Sequence, residues 1–320
     1  MKKTYFPISL EKISTYSLTS RDNKVNVDEH FAAPPNADAS FAEFWHSLPD
    51  LLGAESLRGV VKAIVNAKKK NRPVVLAMGG HVIKCGLQPV LKKLIESGII
   101  TAVATNGSVT IHDYEVSLAG ATSEDVGAVL QSGDFGFSRE TGQGMNAALA
   151  DGRTKGWGFG ESIGRAIIEN DHPYKKFSLL ACCVENEIPI TVHVAVGTDI
   201  IHQHPQADGA TIGELSMQDF RLLSSVVADL GDGGVWLNVG SAVLLPEVFL
   251  KALSIVQNLG HKVDDFTTAN FDMIQHYRPL QNVVKRPTSG QGRGYTITGH
   301  HEINIPLLAH AVLNELRESE

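Results

Sequence analysis

Six short apolar runs, each closed by glycine or polar residues and the first five separated from one another by helical patterns, constrain this chain more than any other feature. They are PVVLAM (73–78), IITAVAT (99–105), IPITVHVAV (188–196), GVWLNV (234–239), DFTTANF (265–271) and GYTIT (294–298). Runs that stay apolar instead of alternating are characteristic of strands covered on both faces. Helical spacing is predicted over Gly86 to Ser97, Ser123 to Gln131, Ser162 to Asn170, Met217 to Leu230, Pro246 to Leu259 and Ile303 to Leu316. Upstream, FAEFWHSLPDLL and AESLRGVVKAIVNAKKK carry the same period, with Leu57, Val60, Val61, Ile64 and Val65 on one face. Alternating strands and helices imply an α/β fold with a mostly parallel sheet and helices on both faces. Residues 1–36 are irregular and polar and read as an arm that packs on a neighbouring subunit, followed by a single domain over 37–320.

Composition narrows the function. The net charge of -7 lacks the clustered cations that a nucleic-acid binder needs to neutralise phosphates. The one cationic run, Lys68-Lys69-Lys70, closes a predicted helix, where positive charge complements the dipole. Cys85, Cys182 and Cys183 form neither a disulfide framework nor a zinc knuckle and suit a reducing cytoplasm. Glu11 and Lys12 interrupt the N-terminal segment before a signal-peptide core can form, and no run is long enough to span a bilayer.

In a doubly wound, Rossmann-like sheet, ligands bind beyond the carboxyl ends of the strands, so the residues following each run are the candidates. Gly79-Gly80 and Gly240-Ser241 stand where backbone could approach a pyrophosphate, although a plain structural turn explains each pair as well. GDFGFSRETGQG and GWGFGES read as a long loop over the sheet edge, with a lid as one role. VGTDIIHQHPQADGA (196–210) places His202 and His204 near Asp199 and Asp208. Together with His300, His301 and Glu302 these residues could form an imidazole and carboxylate metal site for metal-assisted hydrolysis. Hydrogen-bonding loop histidines are the alternative, and neither HExxH nor a comparable motif is present. His112-Asp113 could act as an acid/base pair or orient a ribose, while a helix cap explains Asp113 equally well. Cys182-Cys183 reads as core, and Cys85 beside Lys84 as a buried small residue or a slightly activated thiol.

Taken in order from Pro73 to the C-terminus, the strand-end segments resemble deoxyhypusine synthases. The stretch VLAMGGHVIKCGLQPVLKKLIESGIITAVATNGSVTIHDYE is similar to that family's first strand-helix-strand unit. IPITVHVAVGTD resembles its strand ending in Thr-Asp, YRPLQNVVK its catalytic lysine segment, and HHEINIPLL its closing strand and helix. The resemblance implies an NAD-dependent transferase that oxidises a small-molecule amine such as a polyamine. It also implies a homo-oligomer, tetramer or dimer, with sites between subunits. Gly79, Gly80, Thr105, Asn106, Gly107, Thr198, Asp199, Gly240 and Ser241 would then lie along the NAD, and the catalytic residues would be Lys285, Asp199 and His300. Lys285 would capture the oxidised substrate as an imine, a role for which a desolvated lysine is suited. The chain departs from the family where Pro246 and Glu247 replace a His-His pair, and where Arg286 adds positive charge beside Lys285. A nucleotide- or metabolite-binding protein without catalysis is the alternative from another class.

Overall fold

The computed structural model of the chain describes residues 2–319. All six predicted runs form strands: β1 (Val74–Met78), β2 (Ala102–Asn106), β3 (Ile190–His193), β4 (Val235–Val239), β5 (Thr267–Asp272) and β6 (Arg293–Thr298). They make one sheet in the order β3-β2-β1-β4-β5-β6, and every pair is parallel. The architecture is therefore α/β, doubly wound and Rossmann-like, as the apolar runs imply.

Successive side chains of a strand point to opposite faces, and the core divides accordingly. Val74, Leu76 and Met78 of β1 pack with the helices Leu52–Lys69 and His301–Glu318 and with the helices between β2 and β3. Val75 and Ala77 face the other way, onto Gly209–Ala228 and Leu244–Asn258. There Trp236 and Phe249 stack with ring centroids 4.1 Å apart.

β3 is an edge strand, and an open edge invites pairing with another chain. The helix Gly209–Ala228 closes it with side chains. Asp219 accepts from the Val192 N–H at 2.7 Å, while Ser216 accepts from the Val194 N–H and donates to the Val192 carbonyl.

Helix boundaries differ from the sequence expectation in three places. The Ser123–Gln131 helix shrinks to one turn, Val126–Val129, capped by Asp125. The Met217–Leu230 helix begins earlier, at Gly209, because Asp208 accepts from the Ala210 and Thr211 amides. The supposed lid loop is largely two helices, Arg139–Lys155 and Phe159–Glu169. Glycine in these helices serves close packing. A Cβ on Gly142 would come within 2.1 Å of the His204 ring, and one on Gly160 within 2.3 Å of the Ile190 carbonyl oxygen.

Among the described residues, no helix is long and apolar enough to cross a membrane.

Candidate functional site

The strand order reverses at β1 and β4, which are adjacent although their crossovers lead to opposite halves of the sheet. Their carboxyl ends are locked together. The Gly79 N–H donates to the Val239 carbonyl at 3.0 Å, and the Gly240 N–H to the Phe271 carbonyl at 3.0 Å. A Cβ on Gly79 would stand 2.2 Å from the Gly240 carbonyl oxygen, so only glycine permits this approach. Gly240 itself adopts φ +63° and lies against the His301 ring.

Several candidate residues at these ends spend their polar groups inside the chain. The buried Thr105 hydroxyl donates to the Thr191 carbonyl, Asn106 accepts from the Val109 N–H as a helix cap, and Ser241 accepts from the Leu245 N–H. They shape the crevice instead of lining it with free donors.

The sequence pattern gave no sign of a helix directly after β2. TNGSVTIHDYE continues into Gly107–Ala119, which places Ser108, His112 and Glu115 at i, i+4 and i+7 on one face. That face walls a cavity of about 340 Å³ whose other side carries Thr198, Asp199 and Ile200. Lys84 and Glu124 also border it. Within the cavity wall, Thr122 donates to Glu115 at 2.5 Å, and its oxygen lies 2.7 Å from His112 Nδ1. Thr141 lies 3.1 Å from the other Glu115 oxygen. Burial, with Lys84 nearby, lowers the His112 pKa to about 4, so the ring is neutral at pH 7.

Asp113 points away from this face and does not pair with His112. It is fully buried and accepts from Ser178 Oγ and from the Leu179 and Leu180 amides, at the start of the helix Leu179–Glu185. Burial raises its pKa to about 6, with those hydrogen bonds opposing.

Asp199 sits directly on the first turn of Gly107–Ala119, where a Cβ on Gly107 would fall 1.9 Å from its Oδ2. Its side chain is 8% exposed, and burial lifts its pKa to about 6. His202 Nδ1 accepts from the Gly197 and Asp199 amides, which leaves the ring proton on Nε2. That nitrogen is buried without a partner, 3.9 Å from Asp199 Oδ2.

The other histidines do not converge on this pair. His204 Nε2 lies 2.9 Å from the Gly136 carbonyl, to which it donates, and its ring covers Gly142. His300 is exposed, 3.7 Å from Glu302. His301 is buried with Nδ1 unpartnered, beside Gly240 and 6.0 Å from His81 between ring centroids. Among the described residues no three His, Cys, Asp or Glu side chains come together to hold a metal ion. The alternative metal cluster of His202, His204, His300, His301 and Glu302 is therefore not assembled among the described residues, and the five side chains stand in separate local surroundings.

Lys285 ends the π-helical turn Leu280–Lys285 and is exposed, without the desolvation that the imine role required. Lys84 is the lysine that borders the cavity. Cys182 and Cys183 are core residues, and the Cys85 thiol is pushed up by burial and by Glu302, the opposite of activation.

No protein-family model matches the sequence, and no curated protein matches it either. Solved structures do resemble the fold. One is a conserved protein assigned to the LOR/SDH group from Methanococcus maripaludis S2, with 15% identity, a TM-score of 0.51, and coverage of 88% of this chain and 74% of that one. A second is a cysteine-to-alanine variant of AgrE in complex with L-arginine, with 14% identity, a TM-score of 0.50 and 83% of this chain covered. This chain spans about a third of AgrE, 34% of its length. A third, described as a deoxyhypusine synthase from Entamoeba histolytica, is 12% identical with a TM-score of 0.48, covering 87% of this chain and 94% of that one. At these identities the likeness to the first two is one of fold.

Proposed function

We propose that the chain is an NAD-linked enzyme acting on a small amine, with its reaction site in the cavity between the helix Gly107–Ala119 and the Thr198–Ile200 segment. The observation that carries this reading is the Asp199 carboxyl. It is buried against a helix N-terminus, meets no lysine or arginine among the described residues, and borders a cavity whose lining also includes Glu115, Glu124 and Lys84. An ammonium or amine entering there would meet complementary charge in a water-poor setting.

The switch-point crevice offers a dinucleotide one buried donor left without a partner. Asn304 Nδ2 is buried and unpaired beside Gly299, where a ribose or pyrophosphate oxygen would pair with it, and His301 turns Nε2 toward Gly240. Gly79, Gly80 and Gly240 shape the crevice by packing against Gly240, Ser108 and His301, and Thr198 and Asp199 would flank the dinucleotide. When bound, NAD supplies a hydride acceptor. The chain's own residues bind and orient the amine through Asp199, with Ile111, Val126 and Phe135 supplying apolar wall for its methylene chain. Alkyl transfer through Lys285 is left out of the proposal because that amine is exposed.

Calorimetric titration with NAD, followed by 1,4-diaminobutane, tests the reading. Saturable binding of both, with the diamine weakened at least about tenfold in Asp199→Asn, is expected from loss of a desolvated ion pair. Absence of NAD binding would remove the dinucleotide, and equal diamine affinity in the variant would remove the amine site.

A further inference from the structure

The face of Gly107–Ala119 carries a chain of hydrogen bonds with one self-consistent proton arrangement. A carboxylate only accepts, so the Thr122 hydroxyl donates its hydrogen bond to Glu115 across 2.5 Å. With that proton committed, the Thr122 oxygen can only accept from His112 Nδ1, 2.7 Å away. Nδ1 therefore bears the hydrogen, and the lone pair of the neutral ring is on Nε2. The second Glu115 oxygen is held by Thr141, whose own oxygen lies 3.0 Å from Ser138. The carboxylate is thus fixed from both sides. His112 and Glu115 line the cavity, and Nε2 is not among the buried nitrogens without partners.

We propose that Glu115, acting through Thr122, fixes His112 in the Nδ1–H tautomer and so makes Nε2 the proton acceptor of this cavity. In the step, an N–H or O–H bond of the bound ligand breaks and an Nε2–H bond forms. Its electron pair comes from the imidazole, and the imidazole becomes imidazolium. Thr122 and Glu115 keep their protonation. The negative charge of Glu115, relayed by the Thr122 dipole, stabilises the positive ring as it forms. His112 is the residue that would touch the ligand, while Thr122 and Glu115 are positioning residues. The ring also faces Lys84, whose charge opposes imidazolium. Its remaining neighbour is the Gly80 turn, where a Cβ would meet His112 Cδ2 at 3.3 Å, so ring rotation is sterically limited.

As a catalytic role this rests on the cavity being the reaction site proposed above, but the tautomer can be read without ligand. Nitrogen-15 NMR of histidine-labelled protein, with His112 assigned by loss of its signals in His112→Gln, is the experiment. At pH 7 the wild-type ring is expected as Nδ1–H. In Thr122→Val the ring is expected to move toward the Nε2–H form, and Thr122→Ser should restore the wild-type pattern. Glu115→Gln, which can donate as well as accept, should lose the single tautomer. His112 found as Nε2–H in the wild type, or unchanged in Thr122→Val, would overturn the proposal. Because neither dinucleotide nor amine is added, such a failure is separable from a failed titration of the proposed function.

Discussion

Asp199 couples stability and binding to pH with opposite signs. Its folded-state pKa of about 6 lies above the ordinary 3.8, so folding favours the protonated form. Its stabilising contribution is fully present below about pH 4 and is lost as pH rises through 6. Asp199→Asn should remove that slope and raise stability at pH 8 by at most about 3 kcal/mol, because each tenfold change in proton affinity is worth about 1.4 kcal/mol. Chemical denaturation at pH 4 and pH 8 reads this, and a variant no more stable than wild type at pH 8 counts against it. Ammonium binding needs the ionised form, so diamine affinity should fall, approaching tenfold per pH unit, as pH drops below about 6. Calorimetry between pH 5 and 8 would expose the idea as wrong if affinity stayed level. Asp199 stands out in the sequence as an acid three residues past an apolar run. The partners of His112 do not: its neighbour Asp113 is turned into the core, and the contact that matters comes from Thr122, ten residues on and brought back by the turn after the helix. The glycines were visible, but what faces each of them is set by tertiary packing that no local pattern encodes.

At the scale of elements, β1 to β4 were legible because a buried parallel strand must be apolar along its length, whereas β6, buried only at Ile297, lacks that signature. The helices Gly107–Ala119 and Arg139–Lys155 were not, because glycine and polar residues lower local propensity while packing overrides it. That override has a measurable sign. Alanine normally favours a helix over glycine by about 1 kcal/mol. At Gly160 the new Cβ would press on the Ile190 backbone carbonyl at 2.3 Å, so Gly160→Ala should destabilise by roughly 1–3 kcal/mol. Gly213, exposed in Gly209–Ala228 with nothing within 4 Å, is the control, and Gly213→Ala should stabilise by about 0.5–1 kcal/mol. Paired urea melts decide, and destabilisation of similar size at both positions would contradict the packing account. The same helix protects the β3 edge. Asp219→Ala would strand the Val192 and Gly160 amides, at about 1–3 kcal/mol each, and Ser216→Ala should cost about 1 kcal/mol. Hydrogen exchange should quicken at Val192 and Val194 in these variants, and unchanged protection there would show that the edge does not depend on the side chains.

For the whole molecule, sheet topology decides where chemistry can sit, and the arm decides what the chain does with its remaining apolar surface. The order β3-β2-β1-β4-β5-β6 brings the ends of β1, β2 and β4 together, so residues from 79 to 241 meet at one rim although sequence spacing keeps them far apart. The arm has no such organising sheet. Tyr5, Phe6, Ile8, Leu10, Ile13 and Tyr16 are each more than 60% exposed and contribute nothing to either core cluster. Leaving this many large apolar groups in water forgoes about 25 cal/mol per Å² of surface that a partner could bury. We therefore propose that the arm drives self-association of the chain. Sedimentation of the full protein should give a dimer or larger assembly, shifted toward monomer by combining Phe6→Ser, Ile8→Ser and Leu10→Ser. Circular dichroism and melting of the isolated monomer should stay unchanged, because these side chains support no contact in their own domain. A wild-type protein that sediments as a monomer, or a triple variant that assembles as the wild type does, would place any subunit contact elsewhere on the surface.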